Sequence, residues 1–457
     1  MRRIEIVGSE VVWLKGWWGS CRVRTFARGW ECHSGGGPSA RADYARSMSG
    51  GDGLFEQEQL ERARSYHRPL YLAAAGGIAL DLGLLALLAF GALGDRLYAT
   101  TSGWPWFARG LVFSLLVLTL TVVVGLPIAF WAGYRHEHAW SLSTQSLSGW
   151  LLDRLKGLAV TLVFGAAVLL GVVAAAHAWP AAWPAVVAAA AAASLLVLSY
   201  VAPVILEPLF NRFRPLTDPE LAASLRALAE RAGVPVRRIL VVDASRRTRK
   251  LNAYVSGLGR TRRIVLFDTL VADADPREAR LIVAHELGHR RARHLAKATL
   301  LAMTGAAAFV IVAWALLRWP ALRQSIGASG PADPRVMPFL LFLSSALGLL
   351  GSPLAAALSR RWERQADAFS LEVTGHLETF ESTHRRLALS NLADLDPPRL
   401  VYLAWSSHPT PAERISAARA LRLPHIPQEL DPAHASPPAA DTESRGTRSE
   451  GPRPRRR

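Results

Sequence analysis

Cysteine is almost absent from this chain. Among 457 residues there are two, Cys21 and Cys32, both in the first few dozen positions. Two cysteines make no disulfide framework and no zinc-ribbon spacing. Negative charge is scarce too, with 36 acidic residues against 53 basic ones and a formal net charge of +17. In a water-soluble protein that excess would suggest nucleic acid, but no RNA- or DNA-binding motif accompanies it. No secretory leader is evident, since Val11–Trp18 is too short and too interrupted for its apolar region.

Apolar residues are abundant. They make up 51% of the chain, with a mean hydropathy of +0.18. Six runs are long enough for a bilayer span of about 20 residues. They are Leu70–Leu93, Phe107–Trp131, Leu158–Ala178, Trp183–Val204, Ala298–Leu317 and Val336–Leu358. The fourth is Ala-rich and gives the weakest signal. Asp81 lies inside the first run, where a carboxylate costs roughly 2.5–3.5 kcal/mol on insertion scales, so it faces protein or water. The arginines cluster in loops between the runs and in both tails. Tyr134–Lys156, Glu207–Lys297 and both ends carry most of them, and short basic loops stay in the cytoplasm. Gly94–Trp106, the turn near Pro180 and Arg318–Arg335 fall outside, although Arg318, Arg323 and Arg335 weaken that contrast. The expected fold is mainly α and integral to the membrane, with about six transmembrane helices and a small α+β domain.

The expected organisation is an N-terminal extension over 1–54, four transmembrane helices over 55–206 and a cytoplasmic α+β segment over 207–297. Helices five and six follow over 298–358, then a ligand and substrate-site segment over 359–426 and a basic tail over 427–457. Residues 1–47 are Gly-, Arg-, Trp- and Ser-rich without periodicity, and Met48 is a candidate start. Phe55–Arg62 reads as a short polar helix. Within 207–297, Asp218–Ala232 reads as a helix with Leu221, Leu225, Leu228 and Ala229 on one stripe. Arg238–Asp243 and Arg263–Asp268 read as strands, with Tyr254-Val255-Ser256 a possible third between them.

One segment carries chemistry. His285-Glu286-Leu287-Gly288-His289 is a His-Glu-x-x-His pattern in a run, Pro276–Leu300, that otherwise reads as helix. The spacing puts both imidazoles on one helical face, where they can bind one zinc ion, and Glu286 can act on a water molecule. The plain alternative is two ordinary helix histidines. A catalytic site needs a third ligand and an open position. His294 lies about 140° further round a continuous helix and points away. An elongated motif would need Gly at 292 and His at 295, where the chain has Ala292 and Leu295. Glu363 is the better candidate, with Asp367 one turn on to accept the free N–H of a ligand histidine. The competing reading is a solvated helix end pairing with Arg360. A His₂Glu set points to metal-assisted hydrolysis with Glu286 moving the proton. Asn252, His408 and Arg414 are candidate donors to the oxyanion.

Seven segments in order resemble the type I CAAX prenyl proteases, integral-membrane zinc metalloproteases related to bacterial heat-shock membrane proteases. They are Trp150–Lys156, Glu207–Phe213, Asn252–Tyr254, Ile264–Leu270, His285–His289, Ser359–Asp367 and Ser407–Ile415. The resemblance implies one zinc ion per chain on His285, His289 and Glu363, with Glu286 as base and Asp367 behind a ligand. It implies that Asn252 and His408–Arg414 line the substrate site, and that helices ring a water-filled chamber. Partners are then a peptide or protein substrate and the lipid bilayer. Residues 1–47 do not supply the extra N-terminal span of eukaryotic members. High Ala, Arg and Gly content points to a GC-rich bacterium, whose cytoplasmic membrane would hold the site on its inner side. Such organisms are not expected to make prenylated proteins, so the prenyl substrate does not transfer. A quality-control protease of membrane proteins is the alternative enzyme. A non-catalytic scaffold or transporter with a structural metal site is the alternative of another class.

Overall fold

Long apolar runs in lipid must satisfy their backbone internally, and here they do so as helices. The structure is a computed structural model describing residues 53–257 and 259–421. The expectations for the N-terminal extension, the Met48 start and the tail fall outside the described residues. The first apolar runs form α1 (Gln57–Phe90), α2 (Trp106–Phe130) and α3 (Leu147–Ala178). The Ala-rich fourth run forms a shorter helix, α4 (Trp183–Val201), packed between α3 and the helix of the fifth run.

Two boundaries differ from expectation. The polar segment Phe55–Arg62 is no separate helix, because from Gln57 onward it is the first turns of α1. Likewise α3 begins at Leu147, ahead of its apolar run, with the Ser146 hydroxyl accepting from the Gly149 N–H at 3.1 Å. That early portion carries Asp153, which accepts from Arg247 Nε at 2.7 Å.

The segment after α4 builds a four-stranded sheet. Its strands are β1 (Phe213–Pro215), β2 (Arg238–Val242), β3 (Ala253–Ser256) and β4 (Arg263–Phe267), in the order β1-β2-β4-β3. β2 and β4 run parallel with Ile239 opposite Ile264, and both outer pairs are antiparallel. The two central strands are continuous apolar runs, as strands covered on both faces are. β1 is unforeseen. It is three residues long with an Arg and a Pro, which only an edge position accepts. The helix α5 (Pro219–Arg231) is capped by Asp218 and buries Leu221, Leu225, Leu228 and Ala229 against the sheet.

The motif helix is α6 (Pro276–Arg291), started by an Asp275–Glu278 capping box with Pro276 in the first turn. Its Ala279, Val283, Ala284 and Leu287 join the sheet core. The helix does not run on to Leu300. Ala292 ends it, Arg293 takes a left-handed conformation (φ 55°, ψ 36°), and α7 (His294–Leu317) restarts in a new direction. Here the chain leaves the sheet domain for the apolar bundle, and the two turn residues Ala292 and Arg293 make the change of axis.

The sixth run becomes α8 (Val336–Thr374), whose 39 residues span about 58 Å at 1.5 Å per residue. That is nearly twice a bilayer core, so its second half reaches the sheet domain. It ends at Gly375, whose φ of 74° closes the helix. Then come α9 (Leu377–Ser390), α10 (Arg399–Trp405) and α11 (Pro411–Ala420). Among the described residues, five helices are long and apolar enough to cross a membrane: α1, α2 with its extension to Ala139, α3, α7 and α8. Leu88, Phe113, Val117, Leu169, Val310 and Met337 pack together at the end of this bundle remote from α6.

Candidate metal centre

The site forms where α6 meets α8. Gly288 makes the approach possible. A Cβ there would stand 3.1 Å from Ala366 Cα and 3.2 Å from the Ala366 carbonyl oxygen. Those neighbours are backbone and cannot step aside. Gly288→Ala is therefore expected to push the helices apart, costing about 1–3 kcal/mol. A lower unfolding temperature and weaker metal retention would show it. An unchanged unfolding temperature would contradict it.

With the helices this close, three side chains converge. His285 Nε2 lies 3.3 Å from Glu363 Oε2, and His289 Nε2 lies 3.3 Å from Glu363 Oε1. The two Nε2 atoms are 3.1 Å apart, and each of the three residues offers a ligand atom within 4.8 Å of the others. Glu363 is 5% exposed, and its Oε2 accepts no hydrogen bond of proper geometry.

The outer partners settle which nitrogen is free. His285 Nδ1 is 2.8 Å from Asp367 Oδ1, and a carboxylate only accepts, so that nitrogen donates. Its Nε2 then carries a lone pair. Two imidazole lone pairs and a buried carboxylate facing one another at about 3 Å repel unless a cation lies among them. The donor set therefore fits a divalent metal, and its nitrogen and oxygen atoms suit zinc.

Without a metal, a proton takes that part. Burial opposes a charge on His285, but Asp367 and Glu363 outweigh it and push the pKa up to about 10. Metal uptake must expel this proton. Calorimetry of the metal-free protein near pH 8, in buffers of differing ionisation enthalpy, should read about one proton released per metal. An ordinary histidine, with a pKa of about 6.5, would release almost none there. The release should fade only as pH rises through about 10. No release at pH 8 would contradict the assignment.

The remaining candidates sort by what they touch. The His408 side chain is half-exposed, with Nδ1 2.7 Å from Glu363 Oε2. Arg414 donates from Nε to Asp367 Oδ2 at 2.8 Å and from Nη2 to Asp367 Oδ1. Burial opposes the Arg414 charge, yet Asp367, Glu363 and Glu286 hold its pKa above the ordinary value. Both residues are carried by a rigid turn. Thr410 and Glu413 form a capping box, Pro411 starts α11, and Tyr402 donates to Glu413 at 2.7 Å. Arg360 does not pair with Glu363. Its Nη1 donates to the carbonyls of Tyr402 and Ser406 at 2.8 and 2.7 Å, fastening this segment to α8. Asn252 lies just before β3, where its Oδ1 accepts from the Ala253 N–H and its carbonyl from the Phe267 N–H.

Sequence reasoning missed two buried histidines. His294 does not point away, because the break at Arg293 turns its ring back to 2.9 Å from His289 Nδ1. His384, on α9, donates from Nδ1 to the Phe380 carbonyl and has Nε2 3.9 Å from Asp367. Burial and the nearby Arg414 push its pKa down to about 3. No spacing rule links either residue to the motif.

Other residues of the matching segments hold the scaffold. Glu207 accepts from Ser256 at 2.8 Å and Arg263 at 2.9 Å, joining the exit of α4 to β3 and β4. Arg247 reaches Asn211 at 3.0 Å as well as Asp153.

A helical bundle of membrane-crossing length, with a His-Glu-x-x-His helix facing a buried glutamate, defines a membrane-embedded metallopeptidase. Comparison with known proteins narrows the class. Residues 215–422 match peptidase family M48, and residues 51–212 match the CAAX prenyl protease N-terminal region, described as five membrane helices. The chain is 33% identical to the uncharacterized metalloprotease YhfN of Bacillus subtilis over 322 residues, 68% of this chain and 74% of that one. It is 27% identical to CAAX prenyl protease 1 of Saccharomyces cerevisiae over 326 residues, 68% and 72% of the two chains. The crystal structure of S. mikatae Ste24p superposes with a TM-score of 0.73, covering 80% of this chain and 90% of that one at 24% identity, which speaks for the fold. The chain belongs to peptidase family M48, in its CAAX prenyl protease branch, and is an integral membrane metalloprotease. The scaffold and transporter reading finds no support.

Proposed function

We propose that the chain is a zinc-dependent endopeptidase that cuts peptide bonds of membrane-associated polypeptides. It holds one zinc ion on His285, His289 and Glu363, in a bacterial cytoplasmic membrane with the site on the cytoplasmic side. The observation that carries this is the convergence of one ligand atom each from His285, His289 and Glu363, within 4.8 Å of one another, beside Glu286. A zinc ion bound there supplies Lewis acidity, making water acidic and polarising the scissile carbonyl. Glu286, 9% exposed on α6, accepts the proton of the attacking water and returns it to the departing amine. His408, half-exposed at the edge of the site, donates to the developing oxyanion. Asp367 keeps the His285 Nδ1 protonated, and Arg414 keeps Asp367 charged and in place. Asn252, just before the edge strand β3, positions the peptide backbone. Orientation rests on the basic loops, which share a side with the sheet domain.

The test uses purified full-length chain in detergent and a panel of unprenylated peptides. Hydrolysis should stop when zinc is chelated and return when zinc is added back. Cleavage that survives complete zinc removal would overturn the reading.

A further inference from the structure

Each imidazole on α6 needs its far nitrogen held, or the ring turns and the wrong tautomer forms. For His285 the clamp is Asp367. For His289 the group in place is another imidazole. His294 Nδ1 lies 2.9 Å from His289 Nδ1, and His294 Nε2 lies 3.0 Å from Gln365 Oε1. His294 is 0% exposed, and its ring stacks on Trp362 with centroids 5.0 Å apart and planes at 12°.

Donor and acceptor roles run one way along this line. The Gln365 oxygen only accepts, so His294 Nε2 carries the hydrogen. His294 Nδ1 is then a lone pair and accepts from His289 Nδ1. His289 Nε2 is left bare, on the side that faces Glu363 and His285. A histidine with one hydrogen can bind metal only through its bare nitrogen. The left-handed Arg293 brings His294 there, and α8 supplies Trp362 and Gln365 on either side of Glu363.

We propose that His294 is the positioning residue for His289, an imidazole that fixes the metal-binding tautomer through the line Gln365–His294–His289. This rests on the zinc reading above. The two ligand histidines are thus held differently, one by a charged carboxylate and one by a neutral ring. One stretch of α8, Trp362–Asp367, orients both while providing the third ligand.

The experiment measures zinc transfer from the intact loaded protein to a chromogenic chelator, together with unfolding of the metal-free protein. His294→Leu keeps bulk and removes the acceptor. His294→Asn returns an acceptor oxygen near the Nδ1 position. His294→Leu should lose zinc about 10–100-fold faster, and His294→Asn should recover most of the wild-type rate. The metal-free unfolding temperatures of the two variants should agree. A wild-type rate in His294→Leu overturns the proposal. So does a His294→Asn rate as fast as that of His294→Leu, which would mean packing alone matters. If His294→Leu does not fold, Gln365→Leu at its exposed position reads the same line from the far end. Faster zinc loss supports the proposal there and an unchanged rate overturns it. A wild-type protein that holds no zinc would instead sink the zinc reading itself.

Discussion

Glu286→Gln is expected to lower kcat for peptide hydrolysis by about 10³-fold or more while the protein keeps a full complement of zinc. The size follows from the value of a positioned proton acceptor, roughly 10²–10⁴-fold, with the substitution leaving no carboxylate to take its place. Glutamine matches glutamate in shape, and Glu286 contributes none of the three converging ligand atoms. Fold and metal should therefore survive. The measurement pairs turnover of a peptide with zinc content of the same preparation. Hydrolysis within a few-fold of wild type would remove Glu286 from the reaction. Lost hydrolysis with lost zinc would mean that the residue supports the site and does not move the proton.

Glu363→Ala carries the second large effect. It removes one of three converging ligand atoms and leaves two imidazoles, too few for a stable zinc site. Metal affinity should fall by more than the roughly 10–100-fold expected for losing an orienting partner, and hydrolysis should vanish with it. Zinc per chain after gel filtration is the readout. A protein that kept stoichiometric zinc would have its third ligand elsewhere. His408 also sits 2.7 Å from Glu363, so its ring loses a neighbour in the same variant. Glu363→Gln keeps that neighbour's volume without its charge, and is expected to lose zinc as well.

Much of the architecture could be read before the structure, for physical reasons. Apolar length marks a membrane helix regardless of context, so five of the expected spans fall largely within the long helices. The Ala-rich fourth run became α4, a helix of 19 residues, and its weak signal reflected its alanine content. The central strands showed as Ile-Leu-Val-Val and Ile-Val-Leu-Phe because burial on both faces demands apolar residues throughout. β1 stayed hidden because an edge strand of three residues needs no pattern of its own.

The site was legible where chemistry limits the choice of residue. His285, Glu286 and His289 follow from helical spacing. Glu363 followed from the need for a third ligand near a second carboxylate. The geometry around His294 was not legible, since the argument assumed that α6 continued in phase. One left-handed residue, Arg293, cancels that assumption. The run Arg290-Arg291-Ala292-Arg293, just before an apolar stretch, was the available hint that the chain turns where it meets the membrane. His384 gave no hint, being a single histidine on an amphipathic helix whose partners are distant in sequence.

X-ray absorption at the zinc edge of the purified full-length protein bears most directly on the whole account. The account predicts one zinc per chain, with nitrogen and oxygen neighbours at about 2.0–2.2 Å and an imidazole signature from two rings. No sulfur shell should appear near about 2.3 Å, since none of the three proposed ligands carries sulfur. A protein without zinc, or with zinc bound to sulfur, would contradict it.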